Sequence, residues 1–574
     1  METEYLLYGA LIAAVVGFFI YQIVSREKRM RKRYLRQIMS SWGSLPKREY
    51  DYGELEHISK YYQGTKPEGY TVDDITWNDL DMDSVYCMIN NCRNSCGDDY
   101  LYRMLRTPLK TKAELEERRR VINYFAQNES VRVKYQLELS KVGHSKKFAM
   151  IDYVNTISGL IPDGNLGNYI QLLMYVGAIA MIVVEPAMGI LAAIGVLIYN
   201  IYTYYKTKST IEPYYVTVGA IVHLVSCAQE IQKLNVSELK EYTGRLRGSA
   251  KILNSVKRAS RFLGSTDKMS GDMSSLFMDY INMFLRLDLI QFNRLVTKLQ
   301  KHKADILVLM EEIGRLDAYI SVASFREMLP FTCESELEES SECRLEAQDM
   351  YHPLLSEPVA NSINTNRPVL LTGSNASGKS TFLKTVAINA LLSETCGIAL
   401  AKSYRSCFFR IYSSMALKDN LQGSESYFIV EIKSLKRIMD AVGEEKTPIL
   451  CFVDEVLRGT NTVERIAASS QILKRLQMEG VMCFAATHDI ELTHMLEQDY
   501  ANYHFKEDVR DNDVIFNYRL YEGRATSRNA IKLLGVLGYD QSVISEADET
   551  AKRFLETGVW SIGKESQEQG KQER

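Results

Sequence analysis

The sequence lacks a marked excess of either charge. Its 574 residues include 69 Lys and Arg against 72 Asp and Glu, a formal net charge of −3. This balance argues against binding of nucleic acid through overall charge, so any such site must be a local patch. A paired cysteine framework is also missing: the ten cysteines are scattered, which is typical of thiols kept reduced in the cytosol. A chain of this length is too long for one hydrophobic core, and we expect two to four domains.

The first apolar run has no charge at all. Residues 5–24, YLLYGALIAAVVGFFIYQIV, contain no Asp, Glu, Lys or Arg. In a helix this run spans about 30 Å, the thickness of the hydrocarbon layer of a bilayer. A signal peptide carries its positive charge before the apolar run, whereas here the basic segment REKRMRKRYLR (26–36) follows it. The order predicts a transmembrane signal anchor over residues 1–25, with the basic side in the cytoplasm.

A second apolar zone covers residues 169–205 and is interrupted only at Glu185-Pro186. Tyrosines cluster at its end, as in the aromatic belt of a membrane interface. We predict a transmembrane helical hairpin that enters from the cytosol, turns at Glu185-Pro186 and returns. A pair of buried core helices is the alternative, because the first half of the zone is short for a span. The glycines of the hairpin would let its helices approach closely: Gly177, Gly189 and Gly195.

These two elements would make the chain a multi-pass protein of the cell membrane. Lipid contact would occur through residues 5–24 and 169–205, and every large soluble segment would lie in the cytoplasm, where ATP is. The membrane-protein prediction therefore also predicts the compartment of any ATPase domain.

In the rest of the chain, the sequence pattern changes near residue 345 from helical periodicity to short β-rich runs. Residues 26–78 are predicted to be a basic juxtamembrane segment and connector, and helical periodicity predicts two parts of a helical core over 79–168 and 206–344. Short β-rich runs alternate with helical patterns over 345–545, which predicts an α/β domain with a mostly parallel sheet. Residues 546–574 are predicted to be a C-terminal helix and a polar tail. The predicted strands are RPVLLTG (367–373), CFFRIYSSMAL (407–417), PILCFVDE (448–455) and MCFAATH (482–488).

A basic stretch lies within the second helical part. Between residues 232 and 268, nine Lys and Arg stand against three Asp and Glu. Such a stretch would suit the phosphates of DNA. A solvated helix face is the commoner explanation, and both remain open at this point.

Residues 373–380, GSNASGKS, fit the phosphate-binding pattern G-x-x-x-x-G-K-S. A strand-like run precedes the pattern and a helical run follows it, which is the context that the motif requires. The glycines let backbone N–H groups surround phosphates at a helix N-terminus. Lys379 would reach the β- and γ-phosphates of ATP, and Ser380 would bind Mg²⁺. The predicted nucleotide-binding residues here are Gly373, Ser374, Asn375, Ala376, Ser377, Gly378, Lys379, Ser380 and Thr381.

Two acids follow the apolar run ILCFV (449–453). Asp454 would bind Mg²⁺ through water, and Glu455 would orient and deprotonate the attacking water. His488, at the end of the next predicted strand, would hydrogen-bond the γ-phosphate. The predicted catalytic residues are therefore Glu455, His488 and Lys379, and the predicted metal ligands are Ser380 and Asp454.

The motifs and their order resemble the MutS family of DNA mismatch-repair ATPases, within the ABC-type ATPase superfamily. The residues that carry the resemblance are TGSNASGKSTFLKT (372–385), DNLQGSESYFIVEI (419–432), VDEVLRGTNTVERIA (453–467), ATHDIELT (486–493) and YRLYEGRATSRNAIKLLG (518–535). The likeness covers roughly 79–127 and 310–545. It implies a C-terminal ABC-type P-loop ATPase domain on a mostly α-helical MutS-like core, which hydrolyses ATP with Mg²⁺ and binds double-stranded DNA.

The resemblance also implies a homodimer with ATP at the subunit interface. Ser426 would be the signature serine, which contacts the γ-phosphate held by the other subunit. Asn375 would lie in the phosphate loop, residues 461–462 in a loop that crosses the interface, and Tyr518 beside the adenine. The family's other stacking position falls near Val359, which is not aromatic and so departs from the family pattern.

Two further departures concern the DNA-binding parts. Family members that find mismatches carry an N-terminal domain with a Phe-x-Glu wedge, which stacks on a flawed base pair; we expect no such domain before residue 79. The interval that holds levers and a DNA clamp in the family holds the predicted hairpin here. Two hypotheses follow: a membrane-anchored ATPase coupled to mismatched, branched or otherwise altered DNA in repair or recombination, or a membrane mechanochemical or signalling ATPase with no DNA role.

Overall fold

The computed structural model describes residues 28–51, 53–145, 148–162, 164–260, 280–374, 377–415, 427–443, 445–458, 460–510, 513–525 and 538–560, together with residues 17, 21, 25, 531 and 534. The chain divides into two compact units. The first comprises Met1–Gly69, Asp83–Thr107 and Glu116–Pro330, and the second comprises Tyr70–Met82, Pro108–Leu115 and Phe331–Arg574.

The helices are, in chain order, α1 (Glu54–Gly64), α2 (Asp74–Asp79), α3 (Met82–Ile89), α4 (Ser95–Arg106), α5 (Lys112–Gln127), α6 (Glu129–Leu139), α7 (Met150–Gly159), α8 (Leu166–Val184), α9 (Pro186–Ile211), α10 (Tyr215–Lys233), α11 (Lys240–Ser260), α12 (Leu287–Lys301), α13 (Lys303–Met328), α14 (Lys379–Thr395), α15 (Tyr427–Asp440), α16 (Thr462–Arg475), α17 (Ile490–Met495) and α18 (Gln541–Thr557). Residues 28–41 and 280–285 are also helical.

The strands are β1 (Cys333–Glu334), β2 (Glu336–Glu338), β3 (Leu345–Met350), β4 (Asn361–Thr365), β5 (Val369–Thr372), β6 (Ile398–Ala399), β7 (Ser403–Cys407), β8 (Arg410–Ser414), β9 (Ile449–Asp454), β10 (Val481–Ala486), β11 (Ala501–Arg510) and β12 (Asp513–Glu522).

The first unit is helical, and its core contains a close approach of α4 and α13. Gly314 of α13 lies so near α4 that a Cβ there would be 2.3 Å from the carbonyl oxygen of Cys96. Asp317, one turn further along α13, accepts hydrogen bonds at Oδ2 from the backbone N–H groups of Arg93 and Asn94, at 2.7 and 3.1 Å. Because Asp317 is 1% exposed, these bonds replace water around the carboxylate.

Helices α8 and α9 form the hairpin expected from the sequence. Glu185 ends α8 and Pro186 begins α9, where proline's fixed φ suits a first helical turn. A Cβ at Gly189 would lie 2.3 Å from the backbone nitrogen of Ile182, so this glycine allows the helices to touch. A Cβ at Gly177 or Gly195, by contrast, would have nothing within 4 Å, and the prediction that these two glycines bring the helices together is wrong.

In the hairpin, several polar side chains are buried and large apolar side chains are exposed. This is the reverse of the usual distribution in a protein surrounded by water. The buried side chains of α8 and α9 include the amides Asn168, Gln171 and Asn200. The outer surface carries large apolar side chains instead, with Val183 82% and Leu191 71% exposed. By length and composition, two helical stretches of the described chain, Leu166–Val184 and Pro186–Lys233, are apolar enough to cross a membrane.

The second unit is built on a six-stranded sheet in the order β12-β11-β5-β10-β9-β8. Strands β11, β5, β10, β9 and β8 are parallel to one another, and β12 pairs antiparallel with β11. All residues of β5 and β10 are buried, as expected of central parallel strands with both faces covered. The prediction of an α/β domain with a mostly parallel sheet is confirmed.

Strand order positions the candidate site. Because β10 lies between β5 and β9, with Phe484 opposite both Val369 and Phe452, the segments that follow these three strands leave from the same edge. Ligand sites of parallel α/β sheets form at this carboxyl edge. A four-stranded sheet, β2-β7-β3-β4, and the pair β1-β6 complete the described sheets of this unit.

Candidate nucleotide-binding site

Strand β5 leads into the glycine-containing loop, and α14 follows it. Gly378 caps α14 with φ of 105°, a left-handed conformation that favours glycine. A Cβ at Gly378 would come within 3.3 Å of the Tyr518 ring, and one at Gly373 within 2.8 Å of Ser377 Oγ. Because neither glycine has a Cβ, the loop between β5 and α14 can curve tightly without a side-chain clash.

Lys379, the first residue of α14, turns its side chain back over the loop. Its ammonium group donates to the carbonyl oxygens of Gly373 and Ser374, at 2.9 and 2.8 Å. The residue is 5% exposed, and burial lowers the pKa of the ammonium while Asp454 and nearby carboxylates act in the opposite direction. A buried cation held by two carbonyl oxygens is available to a stronger acceptor, such as a phosphate.

Asp454 ends β9 beside the start of α14. Burial raises the pKa of its carboxyl group, and a hydrogen bond from the Ser380 hydroxyl counteracts that rise. Ser380 and Asp454 therefore present two oxygen ligands side by side, the type that Mg²⁺ prefers.

Glu455 follows with a left-handed φ of 55°. Its Oε1 lies 2.8 Å from His488 Nε2 and its Oε2 lies 3.1 Å from Arg458 Nε. The hydrogen bond from His488 is the largest cause of a lowered pKa for this carboxyl group. Glu455 is thus held as a carboxylate, with both oxygens engaged.

His488 also contacts Lys379, whose Nζ lies 3.2 Å from the same Nε2. One imidazole nitrogen cannot donate to a carboxylate and accept from an ammonium in the same state. The shorter distance and the carboxylate charge favour donation to Glu455, which leaves the contact with Lys379 without a hydrogen bond.

The loop after β9 has a strained backbone and is fixed by a hydrogen bond to α15. Leu457, like Glu455, has a left-handed φ, of 57°, which is uncommon for residues other than glycine. Its backbone N–H donates to the Glu431 carboxylate of α15. Because Glu431 is 6% exposed, this buried bond fixes the path of the chain after Glu455.

A cavity of about 480 Å³ opens from the loop. The predicted residues that line it include Ser377, Gly378, Lys379, Ser380, Thr381, Glu455, His488 and Tyr518. Leu355, Pro358 and Val359 also line the cavity, and we call the part that they line its apolar end; the lining includes Glu357 as well. Pockets with this division suit ligands that join a polar group to an aromatic one.

Tyr518 enters the cavity from β12 in a left-handed conformation, with φ of 52°. Asn361 stabilises this backbone: its Nδ2 donates to the Tyr518 carbonyl oxygen at 3.0 Å, and its Oδ1 accepts from Leu520 N at 2.8 Å. The ring is 45% exposed and therefore available for stacking.

The structure brings most of the predicted site together but not all of it. Asn375, Ala376 and Ser426 lie outside the described residues. Ser374 is in the loop, where its hydroxyl donates to the Glu507 carboxylate of β11. Asn461 caps α16 by accepting the Glu464 N–H at 2.9 Å.

Sequence reasoning missed Arg458, Glu507 and Asn361. Arg458 contacts Glu455, Glu507 contacts the loop, and Asn361 holds Tyr518. Arg458 lies within the motif 453–467, three residues after Glu455, so its short distance from Glu455 in sequence could have predicted this contact. Glu507 reaches the loop through pairing of β11 with the distant strand β5, and Asn361 reaches Tyr518 through a side-chain hydrogen bond across 157 residues. The sequence pattern specifies neither contact.

The residues fit ATP with Mg²⁺. Ser377 Oγ is buried and, within the described part of the chain, has no hydrogen-bond partner, as expected of a loop hydroxyl that awaits a phosphate oxygen. The glycine curve leaves room for an anion, Lys379 supplies a cation, and Ser380 with Asp454 supplies oxygen ligands for the metal.

Comparison with known proteins agrees with this geometry. Residues 369–555 match the family model described as MutS domain V. The chain is 29% identical over 284 residues to the DNA mismatch repair protein MutS of Thermotoga petrophila, covering 48% of this chain and 35% of that protein. It is 28% identical over 274 residues to MutS of Leptospira interrogans, covering 45% and 32%.

The chain thus spans about a third of the length of the curated relatives it matches, 35% for the Thermotoga protein. The resemblance noted from the motifs is confirmed at this level. The second unit carries a MutS domain V, and the chain is homologous to MutS mismatch repair proteins.

Proposed function

We propose that this protein is a Mg²⁺-dependent ATP hydrolase of the MutS type, which works as a homodimer at a membrane and couples ATP turnover to DNA. The observation that carries the proposal is the convergence of Lys379, Ser380, Glu455 and His488 on one cavity, within a unit matched by MutS domain V. Asp454 joins this set through its hydrogen bond with Ser380.

The polar end of the cavity would hold the triphosphate. Lys379 would exchange its two loop carbonyl oxygens for phosphate oxygens, and the Ser377 hydroxyl would gain the partner it lacks. Mg²⁺, held by Ser380 and Asp454, supplies positive charge beside the phosphates. The apolar end would receive the adenine, with Tyr518 on one side and the aliphatic Val359 in place of a second ring.

Hydrolysis requires a change at Glu455. A general base must have a carboxylate oxygen free to accept the proton of the attacking water, and here both oxygens are engaged by His488 and Arg458. We infer that the γ-phosphate draws the His488 N–H away from Glu455. Water then attacks phosphorus, its proton moves to Glu455, and the bond to the ADP oxygen breaks.

A dimer would complete the site. The motif resemblance assigns Ser426 to the γ-phosphate of the opposite subunit, and residues 461–462 to the interface. The structure places Asn461 at the N-cap of α16 and Thr462 as its first residue, so the prediction that Thr462 lies in a loop is wrong. The interface assignment of these two residues rests on the motif resemblance.

Membrane attachment is supported by the inverted hairpin. Helices α8 and α9 expose many large apolar side chains while the amides of Asn168, Gln171 and Asn200 are buried. In water this arrangement would leave a large apolar surface uncovered, whereas in lipid it places polar groups where they can pair. The anchor predicted over residues 5–24 would add a second attachment, and the second unit would then lie in the cytoplasm.

DNA contact is the less supported part of the proposal. Within the basic stretch 232–268, Arg245 pairs with Glu241 and Glu312, at 3.1 and 3.2 Å, and Lys257 donates to Gln229. An arginine that is already paired is less available to phosphates, and this one pairing favours the second candidate, a membrane mechanochemical or signalling ATPase. Homology to MutS proteins favours the first.

The test of the ATPase is a measurement of Mg²⁺-dependent phosphate release by the full chain in lipid nanodiscs. We expect Glu455→Gln to bind ATP but to lower kcat by about 100-fold to 10,000-fold, because the water loses its base. The matched control is Glu479→Gln, an exposed glutamate in the turn before β10, which should keep the parent rate. Turnover by Glu455→Gln at the parent rate contradicts the assignment.

Binding of the same preparation to homoduplex, mismatched and branched DNA at several salt concentrations decides between the two candidates. Affinity should fall with salt, with a log–log slope of about −0.9 for each phosphate contact. ATPase activity without binding to any of these DNAs at low salt would establish the second candidate.

A further inference from the structure

Residues 280–285 expose apolar side chains next to the hairpin. The segment is helical and precedes α12. Tyr280 is 61%, Phe284 41% and Leu285 47% exposed. By sequence the segment belongs to the soluble helical part 206–344, because its apolar residues are too few for a span.

Hydrogen bonds join the segment to both hairpin helices. Asn200 of α9 donates from Nδ2 to the carbonyl oxygen of Met283, at 2.8 Å. Arg286 donates from Nε to Asn168 Oδ1 of α8 at 2.9 Å, and from a terminal nitrogen to Asn200 Oδ1 at 3.1 Å and Thr203 Oγ1 at 2.9 Å. The segment is therefore fixed at the base of the hairpin, away from the tip at Glu185.

Arg286 is the centre of this junction. It is 4% exposed and has a left-handed φ of 52°, an uncommon conformation for a residue other than glycine. A buried guanidinium is costly unless its N–H groups are paired, and here the acceptors come from both α8 and α9. The junction thus holds three helical segments in one arrangement.

Exposed aromatic residues of α9 lie at the same level. Tyr199, Tyr202 and Tyr205 are 51%, 65% and 57% exposed and flank Asn200 and Thr203 in sequence. At 1.5 Å per residue, Tyr202 lies about 24 Å along the helix from Pro186. This distance is close to the hydrocarbon thickness of about 30 Å, so these rings fall near one boundary of a bilayer that the hairpin enters.

Tyrosine and other aromatic side chains concentrate at such boundaries, because they join an apolar ring to a polar edge. A protein partner would cover one face of the hairpin, whereas the exposed apolar side chains surround it. A lipid surface is continuous around the hairpin and reaches the neighbouring segment as well.

We propose that residues 280–285 are a third membrane-contacting element, whose Tyr280, Phe284 and Leu285 side chains lie in the interfacial layer of the bilayer. Arg286 holds the element against the hairpin base. The inference rests on the proposed membrane attachment and extends it to a segment that has no transmembrane character of its own.

The test places a photoreactive phenylalanine analogue at single positions of the full chain, in nanodiscs of phosphatidylcholine and phosphatidylglycerol. Position 191 reports the hairpin, position 284 the new element, and position 252 an exposed apolar site on α11, where Ile252 is 41% exposed. We expect lipid adducts at 191 and 284 and none at 252.

The outcomes separate the two claims. Adducts at 191 without adducts at 284 would contradict lipid contact of residues 280–285 and would support lipid contact of the hairpin. Absence of adducts at both positions overturns membrane attachment together with the inference. Equal adducts at 252 would mean that the probe reports exposure alone, and the inference would lose its support.

A second measurement tests the junction. Arg286→Gln removes the donors to both hairpin helices, and we expect adducts at 284 to fall by about fivefold or more while those at 191 persist. The matched control is Arg294→Gln, on exposed Arg294, which donates to Tyr169 OH at 2.8 Å and should leave adducts at 284 unchanged. Persistence of the 284 adducts in Arg286→Gln contradicts the role of Arg286.

Discussion

Apolar side chains are buried in the sheet of the second unit and exposed in the hairpin of the first unit. In the second unit, β9 and β10 bury theirs, and the rings of Phe452 and Phe484 stack at 5.6 Å inside the sheet. Ionisable groups gather at the strand ends. In the hairpin the amides of Asn168 and Asn200 are inside, and leucine and valine side chains are outside. The same residue types thus occupy opposite positions in the two regions.

With the hairpin in lipid, as proposed above, the contrast extends to how each part is stabilised. Apolar burial away from water drives the sheet to pack, whereas helices surrounded by lipid gain little from contact between apolar side chains and depend on close packing and polar pairs. Gly189 provides the close packing and Arg286 the polar pairs. Changes that are mild in one region should therefore be severe in the other.

The largest expected effect is at the polar end of the cavity. Lys379→Ala should lower kcat/KM for ATP by about 100-fold or more, because a buried charge-assisted contact with phosphate is lost. Steady-state phosphate release measures this, with Lys402→Ala as control, since Lys402 is exposed and pairs with Asp349 at 2.9 Å. An unchanged kcat/KM would mean that Lys379 contacts only the loop.

A charge on the outer face of the hairpin should have a comparable effect on membrane retention. Leu191→Lys places an ammonium in the apolar layer, at a cost of about 2.5–3.5 kcal/mol near mid-span. Carbonate extraction of a chain that lacks residues 1–25 measures the loss without the predicted anchor.

The control for the hairpin is Ile252→Lys, at an exposed position of α11. In water, such a change costs within about 0.5 kcal/mol. Equal retention of Leu191→Lys and the parent would show that the hairpin surface is not in lipid.

The two units should respond to pH with opposite sign. Burial lowers the pKa of His352, in the second unit, to about 4. Its stabilising contribution is complete above the unfolded-state pKa of about 6.5 and is lost as pH falls towards 4, by up to about 3 kcal/mol. Burial raises the pKa of Asp317, in the first unit, to about 7. Its contribution is complete below the unfolded-state value near 3.8 and is lost as pH rises through 7.

Hydrogen exchange of peptides from α14 and α13 at pH 5 and pH 7 measures both units in one sample. Protection in α14 should fall at pH 5, and protection in α13 should rise. His352→Gln and Asp317→Asn should each remove the response of their own unit. A parallel response of the two units would contradict these assignments.

The smallest expected effect concerns Tyr518. Asn361→Ala removes two hydrogen bonds that hold the left-handed backbone near this ring, so KM for ATP should rise about threefold to tenfold with little change in kcat. Asn364→Ala, at an exposed position of the same strand, is the control. A fall in kcat instead of a rise in KM would place Tyr518 in the chemical step.

The local motifs predicted the site better than they predicted its surroundings. The G-x-x-x-x-G-K-S pattern and the acids after β9 specify contacts near in sequence or fixed by parallel strands, and Lys379, Glu455 and His488 do meet. Pairing of β11 with the distant strand β5, and the hydrogen bonds of Asn361 with Tyr518 and Leu520 across 157 and 159 residues, depend on packing over long separations. Asn361 and Glu507 enter the site through these contacts, so residue type alone gave no signal for them.

The hairpin shows the same limit. Its helices extend beyond the predicted 169–205, to Leu166 and Ile211, whereas its turn at Glu185-Pro186 followed from apolar runs and a proline. The junction at its base did not, because Arg286 stands 83 residues beyond Thr203 and an isolated arginine in a helical pattern has no distinguishing feature. Gly189 could not be separated from Gly177 and Gly195 by sequence, since all three satisfy the same small-residue rule.

The order of synthesis gives Arg286 one more consequence. The ribosome completes α8 and α9 before it reaches Arg286, which emerges 83 residues after Thr203. At about 5–20 residues per second, the interval is roughly ten seconds. During it, the side chains of Asn168, Asn200 and Thr203 lack the donor that they have in the finished protein. The hairpin is therefore synthesised before its base is complete, and a later part of the nascent chain supplies the missing donor.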